Sequence, residues 1–133
     1  GGIGAVIGHE MSHGFDDQGR QFDGAGRTFN WWTGETDKRF VAKSNELIDQ
    51  YDLYCPFFSA CVNGLGTLGE NIGDLAGLEI AYAAYHLSLG GVEAPLVNGL
   101  TGDQCFFLAC ARANALAAIS EISFQPSHVV DAW

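Results

Sequence analysis

The chain has 133 residues, carries 6 Lys and Arg against 16 Asp and Glu for a formal net charge of -10, and is 47% hydrophobic. That is the length of one domain with room for a core, yet short for an enzyme that must also enclose a substrate. Phosphate backbones would be repelled and no local basic cluster offsets the charge, which excludes nucleic acid as a partner. No stretch approaches the roughly 18 uninterrupted apolar residues of a membrane span, so this segment is expected to be soluble and to make no membrane contact.

The first residues, Gly1-Gly2-Ile3, include no initiator Met and run straight into the first predicted helix. The start is therefore expected to be an interior cut, with any signal or anchor upstream and the location left open. That helix, residues 1 to about 14, carries Gly8-His9-Glu10-Met11-Ser12-His13 and is ended by Gly14. Histidines four apart leave the same helix face and can reach one ion, with Glu10 projecting beside them. A His-Glu-any-any-His pattern would arise by chance in roughly one chain of this length in two hundred, so the motif predicts a zinc site with a built-in base. The apolar run Ile3, Ala5, Val6 and Ile7 predicts that the helix lies buried under a cleft.

From Phe15 to Asn30 the Asp- and Gly-rich pattern predicts a loop with a short hairpin around Gly24. Asp17 and Asp23 lack the spacing and closing Glu of an EF-hand, which argues against calcium. Trp31 and Trp32 are expected to anchor this loop to the core. A second, amphipathic helix is predicted from about Thr36 to Tyr54, capped by Thr36 or Thr33, with Phe40, Val41, Leu47, Ile48, Tyr51 and Tyr54 on its packing face. Residues 55 to 66 read as a connection.

The third helix, residues 67 to 89, opens Thr67-Leu68-Gly69-Glu70-Asn71-Ile72-Gly73-Asp74. Glu70 and Asp74 are one turn apart and share a face. Thr67 and Glu70 also form a capping-box signature, in which Glu70 would only bond backbone; a two-histidine zinc site, however, lacks a third ligand that a Glu on a second helix would supply. Gly69, Gly73 and Gly77 step by four and clear one side for close approach. His86 is expected at the surface. After a loop over residues 91 to 102, a fourth helix from about Asp103 to Ser120 is apolar on most faces, which predicts burial or a contact elsewhere. Cys55, Cys61, Cys105 and Cys110 show no Cys-any-any-Cys spacing, which argues against a thiolate zinc site and leaves open free thiols or one or two disulfides.

Taken together, GGIGAVIGHEMSHGFDDQGRQFD, RTFNWWT, LGENIGDLAGL and QCFFLACAR resemble the catalytic part of the neprilysin and endothelin-converting-enzyme family of zinc endopeptidases, in order over about residues 1 to 112. The resemblance implies a mainly α, zincin-like (thermolysin-type) fold of about four main helices, forming a single partial catalytic domain over residues 1–133. It implies one Zn2+ per chain held by His9, His13 and Glu70, with Glu10 as general base on a zinc-activated water and Asp74 orienting a ligand histidine. The implied substrates are short peptides cut before a hydrophobic residue, and family members are often secreted, periplasmic or membrane-anchored.

The chain also departs from the family pattern. The family's Asp-any-His-Ser-Pro segment with a following Arg has no equivalent: Gln125-Pro126-Ser127-His128 stands in a different order with no Arg after it, so the oxyanion role is not carried to His128. An upstream substrate-holding Asn-Ala-any-Tyr strand and a helical lid domain are missing. These gaps motivate an alternative, a truncated and catalytically weak zinc-binding remnant that self-associates into a homo-oligomer through exposed apolar helix faces.

Overall fold

Helix-forming runs interrupted by Gly- and Asp-rich turns give a mainly α chain. A computed structural model describes residues 1–56 and 60–124; the tail with His128 lies outside the described residues. The helices are α1 (Gly2–Ser12), α2 (Gly34–Asp52), α3 (Leu68–Ser88) and α4 (Gly102–Phe124), with 3-10 turns at His13–Phe15 and Gly19–Gln21. Isolated β-bridges pair Phe22 with Thr28 and Val97 with Leu100. The contacts divide into two compact units: Ile7–Gly77, and Gly1–Val6 together with the described residues from Leu78 onward.

In the Ile7–Gly77 unit, α2 begins where Thr33 turns extended and its Oγ1 accepts the Thr36 amide at 3.1 Å, with Glu35 and Asp37 in the first turn complementing the helix dipole. Of the two expected caps, Thr33 is the one used. The preceding loop folds back onto α2 through Arg20, whose guanidinium pairs with Asp37 and lies 4.6 Å from the Phe40 ring centroid and 5.5 Å from that of Trp32. Trp32 packs edge-on against Phe40, whereas Trp31 stays exposed, its ring edge-on to Phe15 and Trp32 and its Nε1 donating to Phe22 O at 2.8 Å. Anchoring therefore falls to Trp32 and Arg20. The expected hairpin reduces to a single bridge around a turn in which the Asp23 carboxylate accepts the amides of Ala25 and Arg27.

The connection from α2 to α3 is closed by a Cys55–Cys61 disulfide and by the Gly64 amide donating to Asp52 Oδ1 at 2.7 Å, while Cys105 and Cys110 remain thiols. At the start of α3 the capping box does not form. Thr67 Oγ1 donates to Asn63 O and accepts from buried Asn71, leaving Glu70 free to turn toward α1. A reciprocal cap forms instead at α4, where the Thr101 amide donates to Gln104 Oε1 and the Gln104 amide donates to Thr101 Oγ1.

In the other unit, Phe106, Ala81 and Cys110 are buried and are packed by Ala5, Leu78, Tyr82 and Tyr85. On the opposite side of this part of α4, Phe107 and Leu108 are exposed. His86 is exposed as expected and contacts Asp103 at 3.1 Å, beside the Tyr82 hydroxyl, which donates to the same carboxylate at 2.8 Å.

One expectation fails for α1. Ile3, Val6, Ile7 and Met11 are exposed, and the buried positions of the helix are Gly8 and Ser12. The reason is close helix packing: the side of α1 that meets α3 must be the small-residue side, so the apolar side chains are left facing out. No described helix is long and apolar enough to cross a membrane.

Candidate metal centre

Backbone contact between α1 and α3 comes first. A Cβ on Gly8 would lie 2.8 Å from the Gly77 Cα, so only glycine allows this approach, and one turn earlier on α3 the His9 ring lies directly over Gly73. Ser12 Oγ donates to Gly8 O at 2.7 Å as α1 ends, and the chain tightens into the 3-10 turn that begins at His13. The four-residue spacing holds through this change, leaving the His9 and His13 rings edge to face with centroids 4.7 Å apart.

Glu70 faces both rings: its Oε2 is 3.3 Å from His9 Nε2 and its Oε1 is 3.8 Å from His13 Nε2. One ligand-capable atom from each of the three residues lies within 4.8 Å of the others, the single such group of His, Cys, Asp and Glu among the described residues. Asp17 and Asp23 belong to no such group. Four ligands about 2.1 Å from a tetrahedral cation stand about 3.4 Å apart, so this set fits a zinc ion with a small contraction. The rings are mostly buried, with 17% of His9 and 33% of His13 exposed, while Glu70 is 70% exposed and open to an incoming ligand.

The far nitrogens are also engaged. His9 Nδ1 lies 2.9 Å from Asp74 Oδ1, and His13 Nδ1 lies 2.7 Å from Asp16 Oδ2. With Nδ1–H directed at a carboxylate, each ring turns the lone pair of Nε2 toward Glu70. Sequence reasoning expected Asp74 beside one histidine and missed Asp16, which it treated as a turn residue. The available signal was the three-residue step from His13 to Asp16 directly after the helix.

The hydrogen bond that His13 donates to Asp16 chiefly raises the His13 pKa above its ordinary value, against burial, with the charges of Glu70, Asp16 and Glu10 adding to it. Burial pushes the Asp16 carboxyl up, but the Gly19 amide, the His13 ring and the Gln18 amide together outweigh it and hold the group below its usual range. Glu10 is exposed on α1, close enough for its charge to act on His13.

Two imidazoles and a carboxylate, carried on a His-Glu-any-any-His helix and a second helix, form the arrangement that defines the zinc metallopeptidase class. The chain belongs to Peptidase family M13, whose model matches residues 1–124. It is 44% identical over 115 residues to human endothelin-converting enzyme-like 1, covering 84% of this chain and 15% of that protein. To neprilysin-1 of Caenorhabditis elegans it is 45% identical over 118 residues, covering 84% and 16%. Among solved structures it resembles the Mycobacterium tuberculosis zinc metalloprotease Zmp1 in complex with inhibitor, with a TM-score of 0.81 and 50% identity over 84% of this chain and 18% of that one. It also resembles PepO from Lactobacillus rhamnosis, with a TM-score of 0.69 and 37% identity over 85% and 16%. The chain thus spans about a sixth of the length of the curated relatives it matches.

Proposed function

We propose that the chain carries the zinc-holding part of a neprilysin-type metalloendopeptidase acting on short peptides. His9 Nε2, His13 Nε2 and a Glu70 oxygen hold one zinc per chain. Two neutral nitrogens and one anionic oxygen would suit this borderline cation. When bound, zinc supplies Lewis acidity, lowering the pKa of water toward neutrality and polarising a peptide carbonyl.

The chain's own residues handle the protons. The Glu10 carboxylate takes the proton of the attacking water and passes it to the nitrogen of the departing amine. Asp74 accepts Nδ1–H of His9 and so keeps that ring in the tautomer whose Nε2 can coordinate. The observation that supports this most directly is the convergence of the three donor atoms within 4.8 Å.

The test is turnover of a quenched fluorogenic peptide with and without a chelator. Chelator-sensitive cleavage that disappears in Glu10→Gln is the expected result; metal-independent cleavage, or none from zinc-loaded chain, overturns the assignment.

A second reading, the catalytically weak remnant that self-associates, draws on the exposed apolar residues of α1, of which Ile3 is 75% and Met11 64% exposed. Light scattering separates the two. A concentration-dependent oligomer that binds zinc without cleaving peptide supports the remnant, and a monomer at all concentrations removes its self-association.

A further inference from the structure

Asp16 is among the most enclosed polar residues described, with 5% of its surface exposed, and its carboxylate accepts three hydrogen bonds. Oδ1 accepts the Gln18 amide at 2.9 Å and the Gly19 amide at 2.7 Å, which closes the turn after His13. Oδ2 accepts from His13 Nδ1 at 2.7 Å. The same oxygen rests against the first turn of α3, where a Cβ on Gly69 would come within 3.1 Å of it. One fixed carboxylate therefore binds the ring of His13 and fills the space a side chain would need at Gly69, immediately before Glu70.

We propose that Asp16 is a positioning residue that sets the tautomer of His13 from beside the helix turn carrying Glu70. It depends on the reading of His13 as a metal-holding residue. A carboxylate can only accept, so His13 must place its ring proton on Nδ1, and Nε2 is left with the lone pair a metal needs. Replacing Asp16 by Asn keeps the shape and breaks this logic. If the amide oxygen stays on the Gln18 and Gly19 amides, the amide NH2 faces Nδ1 and drives the proton to Nε2. If the amide turns over, its NH2 meets two backbone N–H donors.

Gly69 supplies an independent handle. A methyl group there presses on Asp16 Oδ2 and on Asp17 Oδ1, the latter at 3.2 Å, without altering either carboxylate chemically. Gly69→Ala is expected to shift His13 in the same sense as Asp16→Asn, but less.

The decisive experiment is nitrogen-15 NMR of the histidine rings in zinc-free chain, at a pH where both rings are neutral, alongside zinc affinity measured against a competing chromophoric chelator. The wild-type chain should place the His13 proton on Nδ1, while Asp16→Asn should move it toward Nε2, weaken zinc about 10- to 100-fold and leave the His9 signals unchanged. An Nε2–H tautomer of His13 in the wild type overturns the proposal, even if Asp16→Asn does not fold. So does an Asp16→Asn chain with wild-type tautomer and zinc affinity. Because the tautomer is read without metal or substrate, failure of the peptidase assignment and failure of the Asp16 role appear in different measurements.

Discussion

Gly8 on α1 and Gly77 on α3 meet backbone to backbone, and a Cβ on Gly8 would stand 2.8 Å from the Gly77 Cα and 2.9 Å from its carbonyl oxygen. Neither obstacle is the end of a flexible side chain, so a methyl group can be accommodated only by moving the helices apart. Gly8→Ala is expected to destabilise the chain by about 1–3 kcal/mol and to weaken zinc binding along with stability, because α1 carries His9 and α3 carries Glu70. Chemical denaturation and zinc titration of the same variant check both parts; unchanged stability would show that the contact is slack.

Glu10 behaves differently, since it is exposed and no stability rests on it. Glu10→Gln should bind zinc as the wild type does, melt at the same temperature and lose ~10²- to 10⁴-fold in peptide turnover. Loss of metal together with activity would instead make Glu10 part of the metal-holding set.

Arg20 fastens the loop after the histidines to α2 by one ion pair and two aromatic faces. Arg20→Ala should cost about 1–3 kcal/mol and loosen the loop that carries Asp16, which amide hydrogen exchange at Gln18 and Gly19 would register. Arg20→Lys should recover only part of it, since an ammonium cannot stack on Trp32 and Phe40 as a planar guanidinium does.

The turn at Asp23 gives a pH test. The Arg27 side chain, then the Arg27 amide and the Ala25 amide, hold the Asp23 carboxyl below its ordinary value, against slight desolvation. A carboxylate depressed in the folded state stabilises above its unfolded pKa, and that contribution is lost as pH falls through the folded one. Exchange protection of the Ala25 and Arg27 amides should be complete at neutral pH and disappear in acid, below the usual carboxylate range. Asp23→Asn should abolish the pH dependence.

Much of the helical frame was legible because it follows from local rules. Four-residue spacing puts His9 and His13 on one face, and the glycine step along α3 announced a close neighbour, met at Gly77 by Gly8. The mainly α class followed in the same way. What escaped depends on where the chain goes after a helix ends. Asp16 reaches His13 only because the backbone tightens at His13 and the next turn folds the carboxylate back. Thr67-any-any-Glu70 and Thr101-any-any-Gln104 carry equivalent capping signals, and only the second forms a cap, since Glu70 turns instead to two imidazoles. The apolar run of α1 misled for a related reason, because the periodicity identifies an apolar face without stating which face the neighbouring helix takes.

The central claim is that His9, His13 and Glu70 together hold one metal ion, and its most direct test is elemental analysis of chain purified without added metal. One zinc per chain is expected in the wild type and in His86→Ala, and close to none in His13→Ala or Glu70→Ala with the helical content unchanged. Retention of a full equivalent of zinc by Glu70→Ala, or its loss from His86→Ala, would contradict the account.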